Sequence, residues 1–204
     1  TNNSAGVSAV AWGCWIMPVR ISDAAGYGSF SRFADGLTWA ADHGARVANI
    51  SYTVTTSFTV TAAAQYFQSK GGVVTVAAGN DAYFDPAADN ASMITVSASD
   101  NNDALYSWSN TGNNIDLASP GCVYTTTRGG GYGSGCGTSY AAPIVAGVAA
   151  LMLSQNPNLT ASETTSKLQQ SADDRGSAGW DSSFGWGRVN AAGAVALAGG
   201  DSVT

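Results

Sequence analysis

The stretch Val73-Val74-Thr75-Val76-Ala77-Ala78-Gly79-Asn80 decides the fold. Its opening residues, Val73–Ala78, form a continuous run of apolar and β-branched side chains. That pattern belongs to a strand covered on both faces, as in a parallel sheet between helices. The run ends in Gly-Asn, which sets an amide side chain at the carboxyl edge of the sheet, where open α/β folds keep their sites. An amide N–H₂ there can stabilise a developing oxyanion. Asparagine after a strand is also a common turn residue, and Asn80 alone does not separate the two uses.

Outward from this strand, apolar runs and helical patterns alternate. Cys14–Ile21 reads as a strand, and a Gly-rich loop over 23–29 leads to a helix with Phe30, Phe33, Leu37, Trp39 and Ala40 on its apolar positions. That helix stops at His43-Gly44, a C-cap signal. Val47–Tyr52 is a second predicted strand, Val60–Ser69 a helix, and Met93–Ala98 a further strand. Residues 100–135 read as turn-rich. Helices follow at about 139–155, at Thr160–Ser171 with the capping pattern Thr160-Ala161-Ser162-Glu163, and at 190–198; Gly199-Gly200 opens a flexible tail. Strands alternating with helices predict an α/β fold, a mostly parallel sheet with helices on both faces.

Composition sets the outer limits. With 204 residues, 45% of them apolar, the chain suits one domain with a sizeable core. A net charge of −6 argues against nucleic-acid binding, which wants a basic stripe. No apolar run reaches the roughly 20 residues of a membrane span, and Thr1 begins no signal-peptide pattern. Charged residues are only 11% of the chain, and such a surface suits a protein working outside the cell. Among the three cysteines no pair has C-x₂-C zinc spacing. Cys122 and Cys136 lie in one Gly-rich loop and can form a disulfide worth about 3 kcal/mol; three free thiols are the alternative. Cys14 is left over in either case.

The chemistry-bearing stretch is Gly135-Cys136-Gly137-Thr138-Ser139-Tyr140-Ala141-Ala142-Pro143, followed by the apolar run Ile144–Leu153. A helix apolar nearly all round is buried. Its N-terminus aims unpaired N–H groups and partial positive charge at the serine. The glycines let a substrate backbone approach, and Pro143 fits the first turn. An ordinary Ser N-cap is the competing use of Ser139. The Gly-Asn strand end tips the balance toward a nucleophile paired with an oxyanion donor.

Together these motifs closely resemble the subtilisin-like serine proteases, or subtilases. The resemblance lies in Gly137-Thr138-Ser139-Tyr140-Ala141-Ala142-Pro143 with Val145-Ala146-Gly147, and in Ala77-Ala78-Gly79-Asn80. It continues in Met17–Ile21, Val47–Ser51, Asp116–Gly121 and Phe184–Ala191, over nearly the whole chain and in the family's order. It implies a three-layer subtilisin-like fold over residues 1–198, incomplete at the N-terminus, with 199–204 as the tail. It implies a secreted serine endopeptidase acting through an acyl-enzyme, with Ser139 as nucleophile and Asn80 as oxyanion donor. Gly26-Tyr27-Gly28 and Ser51-Tyr52-Thr53 match two strands that clamp an extended peptide. Ala77, Ala78 and Gly79 match a pocket wall, and Phe30 an aromatic closing a further subsite. Thr1, Asn3, Ala5 and Val7 match a calcium loop that binds through backbone carbonyls and the Asn3 side chain; a plain turn is the other reading of that segment.

The sequence also departs from the family. Subtilases order their triad Asp, His, Ser, and both the Asp motif and the His-Gly-Thr-His helix would precede Thr1. The chain's single histidine, His43, stands where the family has no catalytic residue, and reads as a C-capping group. A serine without a base is a weak nucleophile, so the chain needs an upstream segment to act. Thr53 stands where many members have glycine and would crowd the clamp strand. Phe84 or Asp85, in a short loop, would shape the pocket floor. The competing functions are a catalytically inactive fragment or a peptide-binding module on the same fold. An α/β-hydrolase esterase is set aside, because G-x-S-x-G is absent around Ser139.

Overall fold

The computed structural model describes residues 5–200. In chain order the elements are α1 (Phe30–Asp42), β1 (Val47–Ile50), α2 (Phe58–Ser69), β2 (Val73–Ala77), β3 (Phe84–Asp85), β4 (Ile94–Ser99), β5 (Thr111–Gly112), β6 (Leu117–Pro120), β7 (Cys122–Thr126), β8 (Tyr132–Cys136), α3 (Thr138–Gln155), α4 (Ala161–Gln170) and α5 (Ala191–Gly199). Strands β1, β2, β4 and β6 form a four-stranded sheet in the order β1-β2-β4-β6, every pair parallel. Parallel neighbours need crossover connections, and α2 supplies the one between β1 and β2.

Two cores lie on the two faces of this sheet. On one face Val73, Ile94, Val96 and Leu117 pack with Val145, Val148 and Met152 of α3, Leu168 of α4 and Ala194 of α5. On the other, Ile50, Val74 and Val76 pack with Phe33 and Leu37 of α1 and Val60 and Phe67 of α2. Successive residues of β2 thus serve opposite cores, which is why all five are buried and why the run lacks polar alternation. The three-layer α/β architecture expected from the sequence is the one found.

Helix α3 is the axle. Over 18 residues its mean hydropathy is 1.2, long and apolar enough by length and composition to cross a membrane. Its partners are instead the strands beneath it and α5, in the first of the two cores. Helix starts follow their capping chemistry. Ser29, Ser57 and Asn190 accept from backbone N–H groups in the first turns of α1, α2 and α5, and Thr160 with Glu163 closes a capping box on α4.

Three expectations need correction. Cys14–Ile21 is not a strand: Val19 and Ile21 rest on the α1–α2 core, while Trp15 is fully exposed and Ile16 nearly so. Residues 100–135 are not merely turns: they hold β6 and most of the antiparallel hairpin β7–β8. The helix expected at about 139–155 is present as α3, with Gly137 as N-cap, so the competing use of Ser139 as an N-cap does not hold. Gly199 is the last residue of α5 and Gly200 its left-handed cap, so the tail does not start at 199; residues 201–204 lie outside the described residues.

Candidate active site

Three chain segments meet around Ser139. The first is the start of α3. Gly137, with φ +149, lies in the left-handed region open to glycine, and its N–H donates to Gly121 O at 2.8 Å. The second follows the end of β1: Ser139 Oγ donates to Ser51 O (3.3 Å), and Ser51 Oγ donates to Ser139 O (2.9 Å). This reciprocal pair fixes the half-buried serine against the segment after β1.

The third segment follows β2. Asn80 Oδ1 accepts from Thr138 N (2.8 Å) and from Thr138 Oγ1 (3.0 Å). Thr138 Oγ1 in turn accepts from Gly79 N (3.0 Å). With its oxygen so occupied, the Asn80 amide is held in one orientation, and its Nδ2 has no partner among the described residues. Nor has Ser139 N, as expected in a first helical turn. Both atoms border the space left by the missing side chain of Gly137: a Cβ there would lie 3.4 Å from Asn80 Nδ2 and 3.7 Å from Ser139 N, with Asn80 Oδ1, already engaged by Thr138, at 3.6 Å. Two preorganised N–H donors beside one open space are what an oxyanion site requires. Thr138, fully buried, does not stand out in the sequence as a functional residue. The signal is present in Gly-Thr-Ser, yet nothing in the string says that the threonine hydroxyl grips the asparagine.

The two matched clamp segments are tied to each other. Tyr52 Oη donates to Gly26 O at 2.6 Å, and the Tyr52 ring packs on Phe33 with centroids 4.8 Å apart. Asp23 Oδ1 accepts from Ala25 N and Tyr27 N and shapes the approach to Gly26. Gly28 lies so near Phe33 that any side chain would overlap the ring. Tyr27 and Phe30 are exposed at this edge, Phe30 as the first residue of α1.

Of the matched pocket-wall residues, Ala77 is buried within β2, while Ala78 and Gly79 are part-exposed. The Thr53 methyl lies 3.1 Å from where a Gly79 Cβ would be. Asp85 is engaged: Oδ1 accepts from Ala87 N and Oδ2 from Asn114 Nδ2. Its carboxylate serves the turn, and Phe84 beside it is half exposed.

The remaining residues fall away from the serine chemistry. His43 caps α1, its Nδ1 2.7 Å from Trp39 O and its ring stacked on Trp39. Cys122 and Cys136 form a disulfide across the facing positions of β7 and β8, three residues before Ser139, and Cys14 is free and exposed. Of the calcium-loop residues, Thr1 and Asn3 lie outside the described residues. Ala5 and Val7 flank Gly6, which turns the chain with φ +75. Two neutral carbonyls fall well short of the six to eight oxygens calcium takes, and no cluster of three His, Cys, Asp or Glu occurs among the described residues.

Comparison with known proteins points to one family. The profile described as "Subtilase family" matches residues 1–187. The chain is 38% identical over 200 residues to the thermophilic serine proteinase of Bacillus sp. (strain AK1), covering 96% of this chain and 49% of that protein. It is 38% identical over 199 residues to thermitase of Thermoactinomyces vulgaris, covering 96% of this chain and 70% of that protein. Among solved structures, a protease of Pseudoalteromonas arctica PAMC 21717 superposes with a TM-score of 0.84 at 32% identity, over 97% of this chain and 67% of that one. The chain thus spans about half the length of the first of these relatives and about two thirds of the others. With the parallel sheet, the Gly-Thr-Ser helix start and the Gly-Asn strand end, these matches place the chain in the subtilase family of serine proteases.

Proposed function

We propose that the protein containing this chain is a serine endopeptidase that cleaves peptide bonds through an acyl-enzyme on Ser139. The observation that carries the reading is the open space at Gly137, bordered by Asn80 Nδ2 and Ser139 N. An extended peptide lies between Gly26-Tyr27-Gly28 and Ser51-Tyr52-Thr53, adding a strand between them. Ser139 Oγ attacks the scissile carbonyl carbon, and the carbonyl oxygen, now negative, accepts from Asn80 Nδ2 and Ser139 N–H. The amine leaves with the proton taken from Ser139 Oγ, and water then attacks the ester so formed, releasing the acid and restoring the Ser139 hydroxyl.

The attack needs a base to take the proton of Ser139, and His43 is occupied at the cap of α1. A histidine and an orienting aspartate come from an upstream segment. Two features support such a docked segment: β1 is an edge strand of the described sheet, and Trp15 and Ile16 present bare apolar surface. Work outside the cell is supported by the disulfide, which persists in oxidising compartments. The calcium reading of Thr1–Val7 rests on the family resemblance alone and carries no step of this chemistry.

Peptide hydrolysis by the full-length protein tests the reading. Asn80→Ala is expected to lower kcat about 10²–10³-fold with KM little changed, the loss known for such a donor in subtilisin and carried over to this chain. Full hydrolysis by Asn80→Ala would remove Asn80 from the mechanism.

A further inference from the structure

Thr138 fixes the Asn80 side chain, but a different residue holds the backbone that carries it. Asn110 is only 6% exposed and directly precedes β5. Its Oδ1 accepts from Asp81 N (2.8 Å) and Tyr83 N (3.1 Å). Its Nδ2 donates to Ala78 O (3.1 Å), and its backbone N–H donates to Gly79 O (3.0 Å). These four bonds grip the loop on both sides of Asn80 and none touches Asn80 itself.

The loop needs such a grip. Gly79 has φ +110, and Ala82, a residue with a Cβ, has φ +51. Left-handed backbone at a non-glycine residue costs free energy and persists only where its surroundings enforce it. A Cβ on Gly79 would overlap the Asn110 amide, so the amide fills the space that the glycine leaves free. The amide is the right group chemically, because the loop offers two donors and one acceptor at this point. Asparagine answers with one acceptor oxygen and one donor nitrogen.

We propose that Asn110 is a positioning residue of the oxyanion site. It sets the backbone of residues 78–83 so that Asn80 Nδ2 and Ser139 N border the same space. The proposal rests on the reading of Ser139 and Asn80 given above. Misplacing a reacting or stabilising group by about 1 Å can cost about 10²-fold in rate, so loosening this loop acts on kcat before it acts on substrate binding.

The test is a double-mutant cycle on the full-length protein, measuring kcat and KM on a chromogenic peptide for wild type, Asn110→Ala, Asn80→Ala and the double variant, with Ser139→Ala as blank. Asn110→Ala is expected to lower kcat by about 10- to 100-fold, with KM within about threefold of wild type. In the Asn80→Ala background the same change is expected to have almost no effect, because the group it positions is gone. A purely structural role would lower activity by the same factor in both backgrounds, and that result would overturn the proposal. So would an Asn110→Ala enzyme with unchanged kcat. If Asn110→Ala does not fold, Asn110→Asp takes its place in the cycle. That variant keeps the two accepted bonds and loses the donation to Ala78 O; an additive cycle or an unchanged kcat overturns the proposal there too. A wild type no more active than Ser139→Ala would sink the underlying reading, and this proposal with it. An active wild type with an additive cycle would sink the proposal alone.

Discussion

At the scale of single residues, the site depends on groups that are absent as much as on groups that are present. Gly137 leaves open the space beside Asn80 Nδ2 and Ser139 N, and its backbone is left-handed. Gly137→Ala would put a methyl group in the space proposed for the oxyanion and strain the chain as well. The expected outcome is a kcat at least about 10²-fold lower, comparable to loss of a donor, with the fold retained by circular dichroism. A Gly137→Ala enzyme as active as wild type would show that the oxyanion binds elsewhere. Ser139 and Asn80 are legible in the sequence because Gly-Thr-Ser before an apolar run and Gly-Asn after one are local patterns. Thr138 and Asn110 carry no such mark. Their roles are set by partners 58 and about 30 residues away, visible only once the chain is folded.

Elements divide by how local their signals are. Helices α1, α2, α4 and α5 and strands β1, β2 and β4 can be read from the sequence to within about two residues at most ends, because periodicity and caps mark them. Strand β6 has four residues ending in Pro120, and the hairpin β7–β8 is built around a Gly-rich tip; neither shows a strand pattern strong enough to stand out from turns. The reverse holds for Cys14–Ile21, which has strand-like residues but no strand pairing over most of its length.

Strand β6 also depends on a buried acid at its start. Asp116 accepts from Thr95 N of β4 (2.8 Å) and from Gln169 Nε2 of α4 (3.0 Å). Burial, and then the charge of Asp89, push its pKa up to about 8. The folded state therefore keeps a proton that the unfolded chain gives up near pH 4. Stability from this group is complete below about pH 4 and is lost as pH rises toward 8. Asparagine cannot titrate, and the Gln169 amide can turn to meet it. Urea unfolding across pH 4–8 should show wild type losing up to about 1.4 kcal/mol per pH unit more than Asp116→Asn. Parallel slopes for the two proteins would mean that Asp116 is ionised in the folded state.

For the whole molecule, the three-layer plan can be read from the alternation of elements, and the family from two motifs in their order. The position of the chain's one histidine next to a helix-cap signal is equally legible, and it is this that leads to the proposal of a base supplied from upstream. What the sequence does not show is that Trp15 and Ile16 stay bare and that β1 ends the described sheet unpaired on one side, because both depend on which segments pack together. The central claim is that Ser139 is a nucleophile whose base is supplied from upstream of this chain. Its most direct test is intact and peptide mass spectrometry after treatment with a fluorophosphonate, on full-length protein and on the isolated 204-residue chain. The expected result is one phosphonyl group on the peptide containing Ser139 in the full-length protein, none in Ser139→Ala, and labelling of the isolated chain slower by orders of magnitude. A full-length protein labelled at another residue, or not at all, would contradict the account.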